Sequence, residues 1–145
     1  MKKTAIGLLL ASVAGVALAQ ATTSPVGLWK TIDDETGKEK SYVRITEANG
    51  VVSGKIEKLI DPKEADPKCD KCTDDRKDKP VVGMTIIRNV KADGEQWDGG
   101  DILDPNNGKV YKVRLRPEDN GKKLSVRGYI GVPMLGRSQT WVRVE

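Results

Sequence analysis

The sequence predicts an all-β chain. Eight antiparallel strands run up and down in a meander that closes into a barrel, and one long loop carries both cysteines. Three observations predict it. Runs of period-two alternation recur along the chain, turn signals separate them, and the first and last runs carry matching aromatic and basic residues.

The runs follow in order. "GLWKTI" (Gly27–Ile32) leads through the polar turn "DDETGK" to "EKSYVRITEA" (Glu39–Ala48). Asn49-Gly50 then turns the chain, because both residues accept the positive φ of a tight hairpin. "VVSGKIEKLI" (Val51–Ile60) enters the long loop Asp61–Lys79, within which Pro62–Asp66 could form a short helical turn. The fourth run is "PVVGMTIIRNVK" (Pro80–Lys91) and the fifth "QWDGGDIL" (Gln96–Leu103). "DPNNG" reads as a plain turn, since it lacks the spaced acidic ligands and distal Glu of a calcium loop. "KVYKVRLRPE" (Lys109–Glu118), "KKLSVRGYIG" (Lys122–Gly131) and "RSQTWVRVE" (Arg137–Glu145) complete the set. Alternation is plain in the sixth run, where Tyr111, Val113 and Leu115 share one face and Lys112, Arg114 and Arg116 the other.

Eight sequential strands can stack as a sandwich or close into a barrel, and closure alone removes exposed edges. The ends of the chain favour closure. Gly27-Leu28-Trp29 opens the first strand and Trp141-Val142-Arg143 closes the last. In a closed antiparallel barrel these strands are neighbours, so Trp29 should lie within about 6 Å of the Arg143 guanidinium, a cation–π distance, or against Trp141. Gly27, Trp29, Trp141 and Arg143 are therefore read as barrel-closing structural residues.

The N-terminus bears on location. Lys2 and Lys3 precede an apolar run, Ile6–Leu18, and Ala17-Leu18-Ala19 fits a cleavage site, with Ala21 as a second position. This is the pattern of a secretory signal peptide. The run is shorter than the roughly 18 residues that a spanning helix needs. The expected organisation is thus a signal peptide, residues 1–19, and one barrel domain, residues 20–145, in the periplasm. The formal charge of +4 includes Lys2 and Lys3, leaving about +2 after removal. Charges of both signs are interspersed, which argues against nucleic acid as a partner.

Cys69 and Cys72 are the only cysteines. Exported thiols meet an oxidising environment. A thioredoxin-type pair needs a helix N-terminus, but "TDDRKDKP" after Cys72 has no helical periodicity and nearby aspartates disfavour a thiolate. Zinc needs about four ligands, and the chain has no histidine. A local Cys69–Cys72 disulfide fits best, and no metal or cofactor is expected. Histidine is also the usual general base near neutral pH. Ser41, Ser53, Ser125 and Ser138 lie in alternating strands without a nucleophile-elbow sequence, and nothing in the spacing demands that Asp101 and Asp104 act as an acid–base pair. The chain reads as a binding protein and not an enzyme.

A Gly-x-Trp at the first strand with a basic residue on the last resembles the signature of calycins, the superfamily of lipocalins, fatty-acid-binding proteins and avidins. "GLWKTIDDETGKEKSYVRI", "DPKCDKC", "KPVVGM", "WDGGDILDPNNGKVYKVRL" and "LSVRGYIG…GRSQTWVRV" together resemble one exported bacterial family, domain of unknown function 2147. The resemblance implies a lipocalin-like barrel in the periplasm and implies no activity.

Candidate ligand residues come from the last two strands. Arg137 and Gln139 should share a face with Trp141 and Arg143 by period two. Arg127, Arg137 or both are expected to face the interior, with Tyr129 nearby. Gly99, Gly100, Gly128, Gly131 and Gly136 would leave room there. Such a site suits a small amphipathic or acidic ligand, a lipid or fatty acid, with its headgroup on a guanidinium and its tail along the valine and isoleucine face. The alternative is an envelope interaction or structural module with a filled barrel and no small ligand. The packing of the barrel interior discriminates between them.

Overall fold

The computed structural model describes residues 23–145 together with Gly7. The signal-peptide pattern and both cleavage positions lie outside the described residues, Gly7 apart. Eight strands form the barrel: β1 (Gly27–Ile32), β2 (Glu39–Ala48), β3 (Val51–Leu59), β4 (Thr85–Asp93), β5 (Gln96–Asp104), β6 (Lys109–Glu118), β7 (Lys123–Tyr129) and β8 (Arg137–Arg143). Each pairs antiparallel with the next, and β8 returns to β1 to close the sheet. The predicted meander and its closure are both present.

Two expectations about the loop are corrected. Pro62–Asp66 forms bends and no helical turn. Strand β4 starts at Thr85 and not at Pro80, because Pro80 instead pairs with Lys68 in an isolated bridge within the loop. Val81 and Met84 are buried in the one core cluster, together with Cys69 and Cys72. The 3-10 turns that do occur are Asp119–Gly121 and Pro133–Leu135.

Alternation fixes what fills the barrel. Val43, Ile45, Val52, Ile87, Val90, Val113, Leu115 and Leu124 are wholly buried, and Trp29 and Trp141 plug the end at which β1 begins. Along β4 the apolar pair Ile86-Ile87 breaks strict alternation. Ile87 pairs with Ile102 and packs against the bare Gly54, so it faces the lumen. Ile86 points outward yet is buried, as is Leu103 on β5. The long loop supplies the cover: Cys69, Cys72, Val81 and Met84 are buried in the same cluster. The loop therefore packs on the outer wall of β4 and β5.

Cys69 and Cys72 form the expected disulfide, with Cα atoms 5.4 Å apart. It tightens one bend whose legs are already paired: the Cys69 N–H donates to the Lys79 carbonyl and the Asp78 N–H to the Cys69 carbonyl, both backbone bonds. Both sulfurs are buried. Alkylation of the native protein without reductant is expected to label neither cysteine, whereas denaturant with reductant should yield two labels. Labelling of the native protein, or bound stoichiometric zinc, would contradict the bridge.

Candidate functional site

The two ends of the barrel differ, and each is built by particular residues. At the closed end Trp29 is wholly buried, and its Nε1 donates to the Pro25 carbonyl at 2.7 Å. The Arg143 guanidinium lies over the Trp29 ring, 4.2 Å from its centroid. Arg143 Nε donates to the Gly121 carbonyl at 2.5 Å, Nη1 to Val26 at 2.8 Å and Nη2 to Ser24 at 2.7 Å. One guanidinium thus ties the segment before β1 to the β6–β7 turn. Burial lowers the Arg143 pKa below the ordinary arginine value, but three carbonyl acceptors and an aromatic face suit the cation. Gly27 sits at φ +145°, and a Cβ there would meet Arg143 Nη1 and the Glu145 carbonyl oxygen. The glycine of the Gly-x-Trp motif therefore makes space for the arginine. Gly27, Trp29 and Arg143 meet here, and Trp141 is buried in the same core cluster.

The other end is the open one, where β1 ends and β8 begins. The inward-register residues Ile102, Tyr111, Gly128 and Gln139 are only half-buried here. Below them Thr31 and Ser41 are buried and share a hydroxyl–hydroxyl hydrogen bond of 2.7 Å. A polar chain climbs from core to rim: Trp141 Nε1 donates to Gln139 Oε1 at 3.0 Å, and Gln139 Nε2 to Asp34 Oδ1 at 3.3 Å. The β1–β8 ladder covers only Trp29↔Arg143 and Lys30↔Val142, so toward this end the two strands part. Asp34, in the β1–β2 turn, bridges the gap by holding Arg137 at 2.6 Å.

The expected ligand arginines are corrected by this geometry. Leu124 and Val126 are buried on the inner face of β7, so Arg127 and Tyr129, at the alternate positions, face outward. Arg127 is occupied with the β7–β8 loop: Nε donates to the Pro133 carbonyl at 2.6 Å and Nη1 to the Ser138 hydroxyl at 2.8 Å. Arg137 has the inward register but lies at the rim, exposed, and is neutralised by Asp34 and Glu35. Asp34 and Glu35 raise its pKa above the ordinary arginine value, the Asp34 hydrogen bond most of all. Nor do Asp101 and Asp104 converge. They stand three apart on β5, on opposite faces, and Asp104 caps its turn by accepting the Asn106 N–H. Among the described residues no group of three metal-ligating side chains forms a site.

Among the described residues, clefts lie outside the lumen at two places. One, of about 280 Å³, runs between the cysteine loop and β4 and includes Asp75, Arg76, Lys79, Met84 and Arg88. The other, of about 450 Å³, lies at the closed end beside Glu95, Trp97, Arg116 and Pro117. Both arginines of the first are satisfied. Arg76 is buried and donates to Asp74 and to the Thr85 carbonyl, and Arg88 makes a two-pronged pair with Asp75. Arg76 lowers the Asp74 pKa from 3.8 to about 2. A depressed carboxyl stabilises the fold fully above its unfolded value and loses that effect as pH falls through the folded one. The clasp's contribution to stability should thus be complete above about pH 4 and be lost between about pH 4 and pH 2, while the Asp74 carboxylate of the folded protein stays ionised until pH nears about 2. An NMR titration of the Asp74 carboxyl checks this, and Asp74→Asn should remove that part of the acid limb of thermal stability.

The family model described as "Uncharacterized protein conserved in bacteria (DUF2147)" matches residues 27–143. The chain belongs to this family. Its matched region spans the barrel from the first residue of β1 to Arg143, so the DUF2147 pattern includes the whole closing constellation. No match is found among curated proteins. Among solved structures, protein HP1028 from the human pathogen Helicobacter pylori, described as belonging to the lipocalin family, is 22% identical over 84% of each chain, with a TM-score of 0.72. The likeness is one of fold, and this DUF2147 chain is a lipocalin-like barrel. Among the described residues no helix is long and apolar enough to cross a membrane.

Proposed function

We propose that the chain is an exported, non-catalytic binding module of the bacterial envelope. Its filled barrel is the scaffold, and the loops of the open end make the contact. The filled lumen carries this reading. Lumen residues from Val43 round to Leu124 are wholly buried, which leaves no channel for an apolar tail along the valine and isoleucine face. The two arginines expected to hold an anionic headgroup are occupied by other partners. Support for export is the pattern Lys2, Lys3 and Ile6–Leu18 with Ala19 or Ala21.

A second reading is favoured by the half-buried mouth. Lipocalin-like barrels in general suit small-ligand binding, and an eight-stranded barrel can hold one small molecule. Here Tyr111, Gln139 and Ile102 offer a shallow seat for a compact one. Native mass spectrometry of protein purified from its own compartment separates the two. The bare protein mass is expected. A stoichiometric small molecule whose loss shifts the Tyr111 and Gln139 resonances would replace the module reading with the ligand reading.

A further inference from the structure

The dipeptide Asn-Gly occurs three times in the chain, at Asn49-Gly50, Asn107-Gly108 and Asn120-Gly121. It carries the parts of a reaction within itself. The backbone nitrogen of the glycine, once its proton is lost to solvent base, can attack the side-chain carbonyl carbon of the asparagine. A glycine has no Cβ to shield that nitrogen or to restrict the rotation that brings it round. The fold treats the three pairs differently.

At the β5–β6 turn both reactants are held. Asn107 Oδ1 accepts the Lys109 N–H at 2.8 Å, and its Nδ2 donates to the Tyr111 hydroxyl at 3.2 Å. The Gly108 N–H donates to the Asp104 carbonyl at 2.8 Å, and the cysteine loop packs on the glycine so closely that a Cβ would meet the Lys71 carbonyl. At the β6–β7 turn Gly121 is buried, and its carbonyl accepts from Arg143 Nε. That peptide cannot rotate without breaking the constellation that closes the barrel. Asn49-Gly50 has none of these restraints. Both residues are exposed. Among the described residues the Asn49 side chain has no hydrogen-bond partner, and the Gly50 N–H donates to no backbone carbonyl. Open space lies where a Gly50 Cβ would stand, so a ring can close there without displacing a neighbour.

We propose that Asn49 is a site of spontaneous deamidation in the folded protein, and that the fold protects Asn107 and Asn120 from the same reaction. A bond forms between Gly50 N and Asn49 Cγ, the Cγ–Nδ2 bond breaks, and the amide nitrogen leaves as ammonia with the proton it takes up. The product is a five-membered succinimide. Water then adds to one of its two carbonyl carbons. Opening on one side leaves aspartate; opening on the other routes the main chain through the former side chain and leaves isoaspartate. Nothing is oxidised or reduced. Either product puts a carboxylate on a neutral turn, and the second also adds a methylene to the two-residue connection between Ala48 and Val51.

The test is incubation of the purified mature protein in mildly alkaline buffer below its melting transition, followed by peptide mapping with mass spectrometry. A parallel sample is reduced and unfolded in guanidinium. In the folded protein Asn49 is expected to convert about tenfold or more ahead of Asn107 and Asn120, whose reaction waits on local opening. In the unfolded sample the three should convert at comparable rates, since each is followed by glycine. Asn49→Gly, which accepts the positive φ of this turn, should abolish the early acidic species seen by ion exchange and leave melting unchanged. Survival of Asn49 in the folded protein while it converts in the unfolded one would overturn the proposal. So would conversion of Asn107 or Asn120 in the folded protein as fast as Asn49, since protection by the fold would then be absent.

Discussion

Trp29→Ala is expected to lower the unfolding free energy by about 3–5 kcal/mol, the range for removing a fully buried large aromatic. In thermal unfolding this corresponds to a fall of roughly 10–20 °C. The loss has three parts. A large buried ring is gone, the Pro25 carbonyl loses its indole donor, and the Arg143 guanidinium loses the face it lies on. Arg143→Lys separates the last part from the others. It keeps a cation near the ring but cannot reach the carbonyls of Ser24, Val26 and Gly121 together. Its expected cost is about 2–3 kcal/mol, since carbonyls are left without their charged donor. If both variants melt like the parent, the closing constellation is ornamental and closure rests on the backbone ladder alone.

Gly108→Ala is expected to cost about 2–4 kcal/mol, combining left-handed strain with overpacking. Gly108 lies at φ +73° in the β5–β6 turn, and a Cβ there would collide with the backbone carbonyl of Lys71, between the two cysteines. A control isolates the collision from the strain. Gly37 has φ +72° and nothing within contact range of a new Cβ, so Gly37→Ala should show only the conformational part, about 1 kcal/mol. The excess at Gly108 should appear locally, as faster hydrogen exchange across the cysteine loop, while the indoles of Trp29 and Trp141 keep their native fluorescence. Equal costs at the two positions would show that the loop does not rest on this turn.

Much of the fold is legible because one physical rule, alternation, governs a half-buried strand. Where Tyr111, Val113 and Leu115 alternate with cations, strand and inner face follow together. The same rule would have placed Arg127 outside, since Leu124 and Val126 define the inner face of β7. For Arg137 the register was right, but register does not reveal that a strand has already reached the rim, nor that an aspartate 103 residues away waits there. The packing of the long loop had a signal of its own. Adjacent apolar pairs, Ile86-Ile87 and Ile102-Leu103, mark strands covered on both faces. A long polar loop does not announce which wall it covers. The connection "VPMLG" between the last two runs is plain in the sequence, but a connection does not tell how exposed its apolar side chains are.

The order of strands has a kinetic consequence. Seven of the eight seams join neighbours in the chain and can zip from local turns, while the β1–β8 seam must bring the two ends of the sequence together. Closing so long a loop carries the largest entropy cost in the fold, so that seam should form last. Native interactions made after the rate-limiting barrier leave the folding rate unchanged and slow only unfolding. Arg143 and Trp29 are then the residues that set how long the closed barrel lasts, not how quickly it is reached. In a chevron plot, Arg143→Lys should steepen nothing on the refolding arm and raise the unfolding arm throughout.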